Sequence, residues 1–131
     1  MKHLLFILLA CFVFSSTVMA ESDQDKLSRI AGAYDGKAFN GEGMDPVSTM
    51  FFLNASDEIV GKYVLDAADS FVTGELSNFR TEGDFTVVAD WKDRDGEGVL
   101  RMLFSANYAL FYGFWGKSKS DTTLPWLGVK Q

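Results

Sequence analysis

Asp90, Asp93, Asp95 and Glu97 cluster around Trp91 and Gly96. Spaced acids beside a glycine can hold Ca²⁺ in a short loop. The full loop pattern fails here: with Gly96 as the turn glycine, the first ligand falls on Trp91 and the closing acid on Met102. An Asp-Gly hairpin tip explains the same residues, so no metal is expected. Paired carboxylates also run glycosidase chemistry when they face a cleft about 5–10 Å apart. In a chain with 18 Asp and Glu that signal carries little, and most of these acids fall in predicted turns. Ser and Thr are plentiful, but a hydroxyl nucleophile needs a base. The only His (His3) and the only Cys (Cys11) lie within the first twenty residues, and no Ser-x-x-Lys follows them. No catalytic residue and no cofactor is expected.

Residues 1–20 have the three parts of an export signal. Met1-Lys2-His3 is basic, Leu4 to Phe14 is apolar, and Val18-Met19-Ala20 offers a small-residue cleavage site. The apolar run is too short for a membrane-spanning helix. Leu8-Leu9-Ala10-Cys11 resembles a lipoprotein box, but it sits early and apolar residues continue past the Cys. The expected destination is periplasmic or extracellular. Of 12 Lys and Arg, Lys2 leaves with the signal, so 11 face 18 Asp and Glu and the net charge is about −7. Such a chain is repelled by phosphate and by anionic lipid headgroups, which disfavours nucleic acid and membrane partners. Without cysteine the exported part has no disulfide, so its stability must come from an apolar core.

Residues 21–29 are charged and aperiodic and read as a loose lead. From Ile30 onward, short apolar runs are cut by Gly, Asn and Asp at spacings near ten residues, and several alternate with period two. The alternation predicts strands over roughly 30–37, 47–53, 58–65, 71–79, 84–92, 99–105, 109–115 and 124–129. Phe85, Val87, Ala89 and Trp91 share one face, as do Leu100, Met102 and Phe104. Asn54-Ala55-Ser56-Asp57 and Arg94-Asp95-Gly96-Glu97 suit hairpin loops. Asn54-Ala55-Ser56 also fits a glycosylation sequon, which matters only on a eukaryotic route. Short loops imply antiparallel neighbours. The expected fold is all-β: one antiparallel up-and-down meander over 30–131, closed into a small eight-stranded barrel.

A faint repeat pairs Asn40-Gly41-Glu42-Gly43-Met44 with Asp95-Gly96-Glu97-Gly98-Val99, and Met50 and Tyr63 with Met102 and Trp115. Gly-x-aromatic recurs at Gly32/Tyr34, Gly61/Tyr63 and Gly113/Trp115. Strand glycines make room for a ring or a tight bend. The first two of these, set in a first strand and a following hairpin, resemble the opening of the lipocalin and avidin superfamilies. The likeness spans about 35 residues and implies a small eight-stranded barrel. Tyr34 stands where those barrels usually carry Trp, and no binding residue is carried over.

The aromatic surplus and barrel geometry together suggest a non-catalytic carrier of a small apolar or aromatic ligand. Tyr34, Tyr63, Trp91, Phe104 and Trp115 are the expected lining. The 109–115 strand is apolar on both faces, and its outer face carries Leu110, Tyr112 and Phe114. A doubly apolar strand needs cover on both sides. The tail at Leu124–Leu127 folded back over it is the simplest cover; the N-terminal lead, a second copy or another protein are the alternatives. The last of these makes the chain a protein-interaction module, an inhibitor or accessory subunit of an envelope or secreted enzyme.

Overall fold

The structure, a computed structural model, describes residues 22–131. The expected signal over residues 1–20, with Cys11, lies outside the described residues.

Eight strands follow one another: β1 Gly32–Phe39, β2 Met44–Leu53, β3 Ile59–Ala67, β4 Ser70–Thr81, β5 Thr86–Asp93, β6 Gly96–Phe104, β7 Leu110–Gly116 and β8 Leu124–Lys130. Each pairs antiparallel with its chain neighbour, and β8 pairs with β1 to close the barrel. The eight expected strands are all present, with ends displaced by a few residues. Closure leaves no sheet edge with unpaired N–H and C=O groups. The turns use local side-chain chemistry. Asn54 Oδ1 accepts from the N–H of Ser56 and of Glu58 at 2.9 and 3.0 Å, and Asp57 takes φ 58°. Asp93 Oδ1 accepts from the N–H of Asp95 at 2.8 Å, and Gly96 takes φ 149°.

The interior is organised by rings set opposite glycines. Phe51 faces Gly61, Tyr63 faces Gly74, Trp91 faces Gly98, Trp126 faces Gly113 and Phe111 faces Gly128. An eight-stranded barrel is only just wide enough for side chains, so a large ring must lie over the neighbouring strand. A Cβ on Gly74 would sit 2.1 Å from Cζ of Tyr63, and one on Gly128 would sit 2.4 Å from Cε1 of Phe111. The expected Gly-x-aromatic unit is thus a cross-strand pairing rather than a local one.

One end of the barrel is solid. Tyr34, Phe51, Phe104 and Phe111 pack with ring centroids 5.4–6.1 Å apart, and Phe79 meets Phe51 edge-on at 5.8 Å. Such pairs contribute about 0.5–1.5 kcal/mol each beyond their burial. A short helix, α1 Asp23–Ser28, closes this end, so the lead is not the loose segment expected. The Ser22 hydroxyl caps it by accepting from Asp25 N–H, and Asp23 and Asp25 sit favourably in its first turn. Leu27 and Ile30 drop into the barrel as buried residues. Thr81 donates to Asp23 at 3.0 Å, and Gln24 donates to the Asp57 carbonyl. The Tyr34 hydroxyl lies 2.9 Å from the Ile30 carbonyl and 3.0 Å from that of Tyr108, sharing one proton between them. The helix α1 leaves no periodic signal in the sequence, because six residues are too short for an amphipathic stripe.

Two further expectations fail on register. Met50 is exposed and pairs with Lys62, whereas Met102 is buried and pairs with Gly113. The residue that occupies the place of Met102 is Phe51, which pairs with Gly61. The repeat therefore runs one residue out of step. Residues 124–130 do not fold over the 109–115 strand either. They form β8 and pair beside it edge to edge, Tyr112 with Leu127 and Leu110 with Val129. Among the described residues nothing covers Leu110 and Tyr112 on the outer face of β7, which stay exposed.

Candidate functional site: an aromatic cup at the open end

The end opposite α1 is ringed by the β1–β2, β3–β4, β5–β6 and β7–β8 connections. Its inward positions near the rim are small or medium: Ala38, Val47, Leu65 and Val72. These residues cannot fill the bore, and an open cup of about 180 Å³ remains. Three tryptophans and a tyrosine form its walls: Trp91 from β5, Trp115 from β7, Trp126 from β8 and Tyr63 from β3. They are all the tryptophans the chain has. Phe39, Asn40, Asp93, Asp95 and Lys117 stand at its rim.

The rings form two perpendicular pairs. Trp91 and Trp115 meet at 5.4 Å and 87°, Tyr63 and Trp126 at 4.7 Å and 76°. Every ring donor is held by the protein. Trp91 Nε1 donates to the Gly116 carbonyl, Trp115 Nε1 to the Phe39 carbonyl and Trp126 Nε1 to Thr49 Oγ1, each at 3.0 Å. Tyr63 Oη donates to Asp93 Oδ2 at 2.5 Å. Burial first, then the hydrogen bond to Asp93 and the charges of Asp93 and Asp95, push the Tyr63 hydroxyl well above the usual tyrosine range. It stays a neutral donor at any physiological pH. These bonds fix the orientation of all four rings.

Of the five residues expected to line a ligand cavity, the structure places Tyr63, Trp91 and Trp115 on the cup wall. Tyr34 and Phe104 lie elsewhere: they pack against each other in the ring cluster beneath α1. Both share the inward face of their strands with the cup residues, and only position along the barrel axis separates the two groups. Sequence reasoning placed Trp126 in a predicted strand without assigning it to the cavity. The alternation of Leu124, Trp126 and Gly128 was its signal, weakened by Pro125. Asp93 and Asp95 were read as a solvated hairpin tip; the turn is there, at the cup rim. The four acids considered for calcium separate. Asp90 pairs with Arg80 at 3.1 Å and accepts from Asn78, away from the cup. Among the described residues no group of three or more His, Cys, Asp or Glu side chains gathers as a metal site.

Leu110 and Tyr112 are exposed, as expected for outward positions of β7, and Phe114 is partly covered. Leu103, Tyr112 and Leu127 stand side by side on the outside of β6, β7 and β8. Val129, 55% exposed, extends the patch beside Leu110. Comparison with protein-family profiles, curated proteins and solved structures finds no match to this chain.

Proposed function

We propose that the protein is an exported, non-catalytic binding protein that holds a small apolar or aromatic ligand in the open end of its barrel. The observation that carries this reading is the convergence of Trp91, Trp115, Trp126 and Tyr63 on one unfilled cup while Tyr34, Phe51, Phe104 and Phe111 pack ring on ring at the other end. A chain with no use for the cup could fill it with larger residues at Ala38, Val47 and Val72 and gain the burial of each added methylene, about 0.8 kcal/mol. The size suits one ring or a branched chain of similar bulk: a cavity of about 150 Å³ is enough for benzene. Export is supported by the signal pattern of residues 1–20. The non-catalytic reading is supported by the absence of His and Cys from residues 21–131.

Tryptophan emission tests it, because every tryptophan lines the cup. Native mass spectrometry of protein taken from its own envelope fraction finds the ligand. A bound small molecule whose removal shifts the emission supports the reading. Protein that carries nothing, and whose emission does not respond to apolar or aromatic compounds, overturns it. Trp115→Ala is the better variant, with an expected loss of affinity of at least ten-fold. Trp91→Ala also empties a buried site fitted against Gly98 and would cost about 3–5 kcal/mol of stability.

A second reading rests on a separate observation, the uncovered apolar patch on β6–β8. It makes the protein an interaction module that docks a second copy or another protein there.

A further inference from the structure

We propose that the cup selects a small organic cation, an amine or quaternary ammonium carrying an apolar or aromatic body. The inference rests on the cup being a binding site and adds the chemical class of what it takes. It follows from what the walls still have to offer. The three indole N–H groups and the Tyr63 hydroxyl are all engaged within the protein. Asn40 is engaged as well: its Oδ1 accepts from the N–H of Glu42 and of Gly43, and its Nδ2 donates to Asp45. The site therefore presents almost no donors. It presents aromatic rings and carboxylate oxygens.

Both are partners for positive charge. The π face of an aromatic ring is the negative end of its quadrupole and attracts a cation within about 6 Å, tryptophan most strongly. Perpendicular pairs place one ring's edge against the other ring's face, so each pair leaves ring surface without an aromatic partner. Asp93 accepts one hydrogen bond on each oxygen, from Tyr63 and from the Asp95 N–H. A carboxylate has about four acceptor sites, so it retains capacity for an N–H donor or for direct charge contact. No cation of the chain pairs with Asp93 among the described residues, whereas Asp95 lies 3.9 Å from Arg94 at the exposed rim. The excess of acidic residues in the chain adds a long-range field of the same sign.

An anion would meet the opposite situation. It would lie among aromatic rings and beside two carboxylates, with Lys117 as the one basic side chain on the lining. Lys117 is exposed at the rim, and its flexible chain can swing into solvent when a cation enters. A neutral apolar ligand would gain burial but leave Asp93 unused. A cation with an apolar body uses both the walls and the charge.

Three soluble probes of nearly one shape separate these cases: choline, its neutral carbon isostere 3,3-dimethylbutan-1-ol, and the anion 3,3-dimethylbutanoate. Each is titrated into protein purified from cells expressing the full chain, with tryptophan emission and isothermal calorimetry as readouts. Choline is expected to bind at least ten-fold more tightly than the alcohol, and the carboxylate more weakly than either. Asp93→Asn is expected to cut the choline-to-alcohol ratio by about ten-fold. Lys117→Gln, at an exposed position, is expected to tighten choline two- to three-fold, and it carries the charge test should Asp93→Asn fail to fold. Alcohol binding as tight as choline, preference for the carboxylate, or weaker choline binding by Lys117→Gln each overturns the cation inference and leaves the cup as an apolar site. Silence from all three probes, the alcohol included, overturns the binding reading along with it.

Discussion

Tyr63 reaches Asp93 by crossing Gly74. The three residues occupy one row of the barrel: Tyr63 pairs with Gly74 across β3 and β4, and Gly74 pairs with Asp93 across β4 and β5. Only because the middle position lacks a side chain can the phenol lie over β4 and donate to the carboxylate at 2.5 Å. A hydrogen bond to a charged group contributes about 1.5–3 kcal/mol. Tyr63→Phe keeps the ring, its seat on Gly74 and its contact with Trp126, and removes only the donor. Asp93 sits at the rim, where water can partly replace the lost bond, so the loss is expected near 1.5 kcal/mol. Urea denaturation reads it as a lower midpoint at unchanged slope. An unchanged midpoint would show that the bond adds nothing to the fold.

The same row predicts a coupling. Gly74→Ala would place a methyl 2.1 Å from the Tyr63 ring, so the ring or the backbone must shift. Overpacking of this kind costs about 1–3 kcal/mol. In a Tyr63→Ala background the obstacle is gone, and Gly74→Ala is expected to be close to neutral or stabilising, since Ala lowers the conformational freedom of the unfolded chain. The double-mutant cycle should therefore give a coupling of 1 kcal/mol or more. Additive effects would mean that the glycine serves the strand alone.

This row also marks how far the sequence could be read. Strand identity was legible because inward residues alternate with polar ones, as in Leu100, Met102 and Phe104. Closure followed from short turns and the need to remove edges. The cup was only partly legible, because alternation tells which face a residue takes and nothing of its height along the barrel. Tyr34 and Tyr63 have equal sequence signals, yet one lies under α1 and the other at the open end. Register decides that, and register depends on pairings between distant segments. Asp93 fell outside the sequence reading of the cup for the same reason: its link to Tyr63 exists only once three strands are aligned. The aromatic–glycine pairings were half visible, since the glycines stood out in the sequence but their partners lay on other strands.

Alkaline pH should unfold the barrel through its two buried phenols. Burial pushes the Tyr34 hydroxyl up to about 12, and burial with the Asp93 bond pushes that of Tyr63 up as well. In the unfolded chain both ionise near 10. Below that pH their contribution to stability is fully present and flat. Above it the unfolded chain releases protons that the folded barrel retains, so stability falls as pH rises. Each phenol then removes about 1.4 kcal/mol per pH unit until its folded-state value is reached. Tyrosinate absorbance and tryptophan emission followed together provide the check. Late ionisation of the two phenols is expected to coincide with exposure of the tryptophans. If both ionise reversibly near pH 10 in a folded barrel, the burial assigned to the two phenols is not present.

The outer face of β7 is independent of the cup, and its role can be tested without touching the interior. Leu110 and Tyr112 point away from the bore, and the rings of Tyr112 and Phe114 lie 5.1 Å apart on the outside. Leu103 and Leu127 flank Tyr112, and Val129 flanks Leu110, so the apolar surface is continuous over three strands. Replacing exposed side chains of this kind changes monomer stability by about 0.5 kcal/mol or less. Leu110→Ser with Tyr112→Ser should therefore leave the urea midpoint and the tryptophan emission where they were. If the patch docks a second copy, sedimentation of the unaltered protein at tens of micromolar shows a dimer, and the double variant sediments as a monomer. An unaltered protein that stays monomeric over that range removes the second copy as the occupant. A dimer that survives both serines places the self-contact elsewhere on the barrel.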